Sequence, residues 1–104
     1  MKKILLLTLL SITGSSVASV YTGPIAEIQI NNVGNERVSV RVPTGTTTCV
    51  NTEFYYFENA NSGKEKLFLT LLLTAYASNK TVTIHGSGLC DDHNVESVTD
   101  VHLK

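Results

Sequence analysis

Apolar and polar residues alternate along most of this chain, and the phase of the alternation predicts a set of strands. Residues 25–31 (IAEIQIN) put Ala26, Ile28 and Ile30 on one face. Residues 36–42 (ERVSVRV) put Val38, Val40 and Val42 on one face and Arg37, Ser39 and Arg41 on the other. The Asn-Val-Gly-Asn stretch between them, residues 32–35, has the composition of a turn. Together they predict a hairpin with one dry and one wet face. Pro43 and Gly45 end the second strand, and Thr46, Thr47 and Thr48 lead in extended form to Cys49. Residues 52–58 (TEFYYFE) predict a third strand with rings on both sides, Phe54 and Tyr56 against Tyr55 and Phe57, so both faces need cover. Residues 81–85 (TVTIH) predict a fourth strand, Gly86-Ser87-Gly88 a turn into Cys90, and residues 91–94 a polar loop. In the fifth, residues 95–103 (VESVTDVHL), Val95, Val101 and Leu103 share a phase that Val98 breaks. Such a slip predicts a bulge or a strand covered on both sides.

One segment repeats at helical spacing instead. Ser62 with Glu65 three residues on has the form of a capping box, and Asn79 suits the left-handed position after a helix end, so the pattern predicts a helix over residues 63–78. Leu67, Phe68, Leu71, Leu72, Ala75 and Tyr76 form a broad apolar stripe, with only Lys66, Thr70 and Thr74 as a narrow polar line. Leu69 and Leu73 fall off the stripe, and a helix on a small sheet should show a wider polar face. These two leucines are therefore the expected interface of a homo-oligomer. The element order is β-β-β-α-β-β: an α+β, mainly β domain, either a small barrel or a curled antiparallel sheet.

The first residues do not fit that domain. Lys2 and Lys3 precede an apolar run from Ile4 to Ile12, and small residues follow from Gly14 to Ser19. Positive, apolar and small-residue regions in this order form a secretory leader. The run of nine residues is far short of the roughly 20 that span a bilayer. Ser16-Val17-Ala18 predicts cleavage after Ala18, with Ser19 as the alternative, and no cysteine follows the run to carry a lipid. The expected organisation is residues 1–18 as leader and 19–104 as one secreted or periplasmic domain.

That mature part holds 86 residues, with six basic against nine acidic side chains, a formal charge of −3. It offers no basic stripe for phosphates, which argues against nucleic acid, and none for an anionic membrane surface. Export favours disulfides, and Cys49 and Cys90 allow a single intramolecular pairing; a bridge between chains or two free thiols are the rivals. The intramolecular bond would close 42 residues, worth roughly 4 kcal/mol in the chain-entropy model.

Candidate chemistry is sparse. Cys90, Asp91, Asp92, His93, Asn94 and Glu96 gather polar groups, but their spacing matches neither a zinc nor a calcium pattern, so no metal is expected. A Cys–His nucleophile would need a free activated thiol, and no serine elbow, HExxH or phosphate-cradling glycine loop occurs. No cofactor and no catalytic residue is assigned. The candidate ligand contacts are Tyr55, in a ring cluster that is either a sugar platform or core, and Asp92 and His93 in the polar loop. Asn79-Lys80-Thr81 matches a glycosylation sequon by chance.

Residues 64–90 (KEKLFLTLLLTAYASNKTVTIHGSGLC) run a capped apolar helix into a short strand and then a cysteine. The segment resembles a family of small secreted bacterial proteins of unassigned role. In arrangement the chain is also similar to the OB-fold B subunits of pentameric toxins of the cholera and subtilase cytotoxin types. The resemblance implies a binding module for a glycan or a host protein, assembled as a ring and without enzymatic activity. No receptor-contacting residue carries over, and Cys49, well inside the chain, departs from the cholera-type pattern. The alternatives are a small secreted enzyme or inhibitor with a site near Cys90 and Glu96, and a periplasmic structural protein.

Overall fold

A computed structural model describes residues 18–31 and 35–104. Residues 1–17 of the predicted leader and residues 32–34 of the predicted turn lie outside the described residues. Those described form β1 (Val20–Gly23), β2 (Glu27–Asn31), β3 (Arg37–Arg41), β4 (Phe54–Phe57), α1 (Gly63–Ser78), β5 (Val82–Cys90) and β6 (Glu96–Leu103). The strands make one six-stranded sheet in the order β1-β5-β6-β4-β3-β2. The described residues are thus mainly β with one helix, and β1 adds a strand ahead of those expected. One pair, β4 with β6, is parallel, because α1 and β5 carry the chain across between them.

The edge strands β1 and β2 are neighbours in the chain, separated only by residues 24–26. Six strands laid flat would hold the outer two about 24 Å apart. The four steps from Gly23 to Glu27 reach at most about 15 Å. The sheet must therefore curl until its edges approach, although no ladder closes them among the described residues. Val38, Val40, Tyr55, Phe57, Val82, Ile84, Val98 and Val101 fill the inside of the curl. The register delivers them to it: Val40 stands opposite Tyr55, Val38 opposite Phe57 and Ile84 opposite Val101.

The out-of-phase Val98 marks a bulge. His85 pairs with Asp100 but Gly86 with Val98, so Thr99 is the extra residue, and its hydroxyl donates to the His85 carbonyl at 3.1 Å. The bulge returns both Val98 and Val101 to the core. Gly86-Ser87-Gly88 is not a turn: β5 continues through it to Cys90.

The helix has the predicted bounds, and Asn79 ends it with φ 55°. Ser62 makes no side-chain cap, contrary to the capping-box pattern; Gly63 starts the helix at φ +64°, so the backbone sets the first turn. The hydroxyls of Thr70, Thr74 and Ser78 each donate to the carbonyl four residues back. Phe68, Leu72 and Ala75 are buried, with Phe68 meeting Phe57 edge-to-face at 5.7 Å. The buried stripe is narrower than expected. Leu67 and Tyr76 are 64% and 48% exposed, while Leu69, expected to face a partner, packs on the chain's own core. The rotation follows from the edge-to-face ring pair, which centres the contact on Phe68. Leu73 does stand in the open.

Leu72, fully buried, and Leu73, exposed, therefore separate in a denaturation experiment. Urea unfolding of Leu72→Ala should lose about 2–5 kcal/mol. Leu73→Lys should change stability by less than about 1 kcal/mol, with an unaltered urea slope.

Candidate ligand-binding site

The outer faces of β3 and β4 carry Arg37, Ser39, Phe54 and Tyr56, since their alternate residues point into the curl. The hairpin's wet face was the expectation here, yet Arg37 and Ser39 are both buried. The cover comes from the 91–94 loop. Asp91 Oδ1 accepts the backbone N–H of His93 and of Val95, and the Val95 carbonyl accepts the Asp91 N–H. That tight turn swings the other oxygen, Asp91 Oδ2, to 2.7 Å from Arg37. Arg37 also lies 3.7 Å from Glu58, with its guanidinium 3.9 Å above the Tyr56 ring. Burial would raise the Asp91 pKa. The N–H of Val95, the Arg37 guanidinium and the N–H of His93 more than offset that, holding it below the ordinary carboxylate value.

Beside this ion pair lies an open concavity of about 330 Å³, lined by Gln29, Arg37, Ser39, Asn51, Phe54, His93 and Val95. Asn51 binds the far end of the loop twice, through its N–H to the Asn94 carbonyl and its side-chain amide to the His93 carbonyl at 2.7 Å. The walls are therefore held by backbone and ion-pair contacts, and the lining presents amide, imidazole, guanidinium, hydroxyl and one phenyl ring.

A second polar cluster lies inside the curl. Glu96, fully buried, stands opposite Tyr55 across the parallel pair. Its Oε1 accepts the Ser19 hydroxyl at 2.9 Å and the Thr48 N–H at 3.0 Å, with the Thr48 hydroxyl at 3.3 Å. Oε2 accepts the Gly88 N–H at 2.9 Å and the Ser19 N–H at 3.2 Å. Ser19 Oγ is 2.9 Å from the Tyr55 hydroxyl, which is 3.0 Å from Thr46 Oγ1. A Cβ at Gly86 would fall inside the Glu96 carboxylate, so no side chain fits there. Burial again pushes the Glu96 pKa up, but the N–H groups of Thr48, Gly88 and Ser19 and the Ser19 hydroxyl outweigh it and leave it lowered. The Cys49–Cys90 disulfide, with Cα atoms 5.7 Å apart, ties the segment that carries Thr48 to the end of β5.

His93, predicted from sequence, lines the concavity; Asp92 is exposed on the same loop but does not line it. Tyr55, the third candidate, is fully buried with its hydroxyl engaged by Ser19 and Thr46, and it does not line the concavity. Tyr56 and Phe54, on the opposite face of the strand, are the rings near the concavity. Sequence reasoning missed Gln29, Arg37, Asn51 and Phe54 as lining and Glu96 as a buried acid. A glutamate in phase with Val98 but beside Val95 was the available signal for Glu96. No group of three metal-ligating side chains occurs among the described residues.

Both carboxyls have folded pKa values below their unfolded ones, so each stabilises the fold above the unfolded pKa and ceases to as pH falls through the folded one. Thermal unfolding followed by circular dichroism should show a steep loss of Tm below about pH 4. Asp91→Asn should lower Tm at pH 7 and flatten that acid limb; an unchanged limb would refute the assignment. No family model, no curated protein and no solved structure matches the chain.

Proposed function

We propose that the domain is a secreted, non-enzymatic binding module that takes a polar ligand, a glycan first among them, in the concavity between the β2–β4 outer face and the 91–94 loop. The observation that carries this reading is the pinned wall: the buried Arg37–Asp91 pair and the Asn51 bonds fix the loop against the sheet before any ligand arrives. A preorganised wall spares the ligand the cost of ordering it. The volume of about 330 Å³ suits one or two sugar rings and falls in the range of small-molecule sites. Amides and an imidazole match sugar hydroxyls, and the Phe54 ring can stack on the apolar face of a pyranose.

The fold is compatible with the same reading. The parallel β4–β6 pair and the three-residue link between the sheet edges favour an OB-like barrel. Barrels of that kind bind oligosaccharides on one sheet face with the adjoining loops. Assembly through α1 is a separate component, favoured by Leu73 and Tyr76 in the open on one helix flank. Light scattering that returns the mass of a single chain at micromolar concentration removes it.

A glycan array probed with the oxidised protein should return one related group of sugars. His93→Ala and Gln29→Ala should each weaken binding about tenfold, or about 1.4 kcal/mol, at unchanged Tm. Asp92→Ala, outside the lining, should bind as the wild type does. A blank array, or affinities untouched by the lining variants, refutes the site. Hydrolysis of an ester, peptide or glycoside that disappears in His93→Ala refutes the non-enzymatic reading.

A further inference from the structure

The buried Glu96 carboxylate collects N–H and O–H donors but no positive charge. No lysine, arginine or histidine side chain lies within ion-pair distance of it among the described residues. A carboxylate taken wholly out of water without a counter-charge is costly even when hydrogen-bonded. Just before β1, the Ser19 N lies 3.2 Å from Oε2. In the unprocessed chain that nitrogen is a neutral amide. Ala18, immediately before it, is exposed, whereas Ser19 is buried.

We propose that hydrolysis of the Ala18–Ser19 bond makes Ser19 the mature N-terminus, and that its α-ammonium is the missing cation of Glu96, a buried ion pair that locks the fold only after the leader is removed. In the cleavage, water oxygen bonds to the Ala18 carbonyl carbon and the C–N bond breaks. Its electron pair stays on the Ser19 nitrogen, which takes up both protons of the water and ends as an ammonium, while Ala18 leaves as a carboxylate at the end of residues 1–18. A signal peptidase of the exporting membrane supplies this reaction at a small-x-small sequence and needs no cofactor.

The structure also separates the two cleavage positions that the sequence allows. Cutting after Ser19 would delete the Ser19 N and Oγ together. Glu96 would lose two donors and Tyr55 one partner, all inside the core. Cutting after Ala18 keeps every one of these contacts and adds charge. The Ser19 carbonyl stays bound to the Gly86 N–H at 2.8 Å, so the terminal residue is held on both sides of its Cα. The groups facing it are Glu96 and the Tyr55 hydroxyl, and Gly86 leaves room for all three.

The test uses the full chain exported into an oxidising compartment and purified with its disulfide formed. Intact mass should correspond to residues 19–104; a product beginning at Val20 or later, or retaining Ala18, overturns the proposal. In the folded wild type, the α-amine should react with an acylating reagent about tenfold or more slowly than the same amine after unfolding, as an ammonium held by a carboxylate loses nucleophilicity. Equal rates overturn it. A chain with one glycine inserted between Ala18 and Ser19 should be cut to leave that glycine first, moving the ammonium about 3.8 Å outward. Its Tm should fall by about 5 °C or more; a Tm equal to the wild type's overturns the lock. Glu96→Gln should restore the fast acylation if it folds, and the wild-type rate and the glycine insertion decide the question if it does not.

Discussion

A single buried carboxylate organises one end of this protein. Glu96 lies on β6, and its donors come from three other places: Ser19 just before β1, Thr48 in the segment before β4, and Gly88 within β5. Two of these contacts are long-range, with Ser19 77 and Thr48 48 residues away in the chain, and Gly88 is eight residues away. Hydrophobic burial is non-directional and would accept several ways of bringing these stretches together. A buried charge accepts few, because any arrangement that leaves an oxygen unsatisfied carries a desolvation cost of kilocalories. Glu96 thus fixes where β1 begins and how β5 arches, and with the disulfide it fixes the path of residues 46–52.

The opposite end depends on apolar contact. There Phe68 meets Phe57 edge-to-face, and Leu72 and Ala75 sink into the open side of the curl. The short link between β1 and β2 forces the curl, and α1 covers what the curl leaves open. The two ends divide the labour: the helix supplies burial area, the carboxylate supplies uniqueness. The outer concavity lies on the wet side of the same strands and borrows its rigidity from the loop that leads into Glu96.

The elements governed by local pattern were legible in the sequence. The α1 bounds, Asn79 as its left-handed end, the Val98 slip and the Cys49–Cys90 bond all match the structure. Alternation tells which residues share a face, but not which face a distant loop will cover. Hence Arg37 and Ser39, polar and in the outward phase, gave no sign that the 91–94 loop would bury them. Gly86-Ser87-Gly88 has turn composition, yet it is a strand because only a strand without a side chain at Gly86 can pass over Glu96. For the site, the loop location of His93 exposed it to inspection. Gln29 and Phe54 join it only through strand pairing and the return of the chain from β5, which no local window contains.

The close approach of Gly86 to Glu96 constrains how this sequence can drift over time. With glutamate in place, position 86 admits glycine alone, since a methyl group there would overlap the carboxylate. Serine at position 19 is similarly bound to both the acid and Tyr55. Replacing Glu96 with a smaller apolar residue would empty that space, strand the Tyr55 hydroxyl's neighbour and permit alanine or serine on β5. The three positions should therefore vary as a unit, and divergent descendants of this fold should either keep glycine, glutamate and serine together or have exchanged all of them for a dry core.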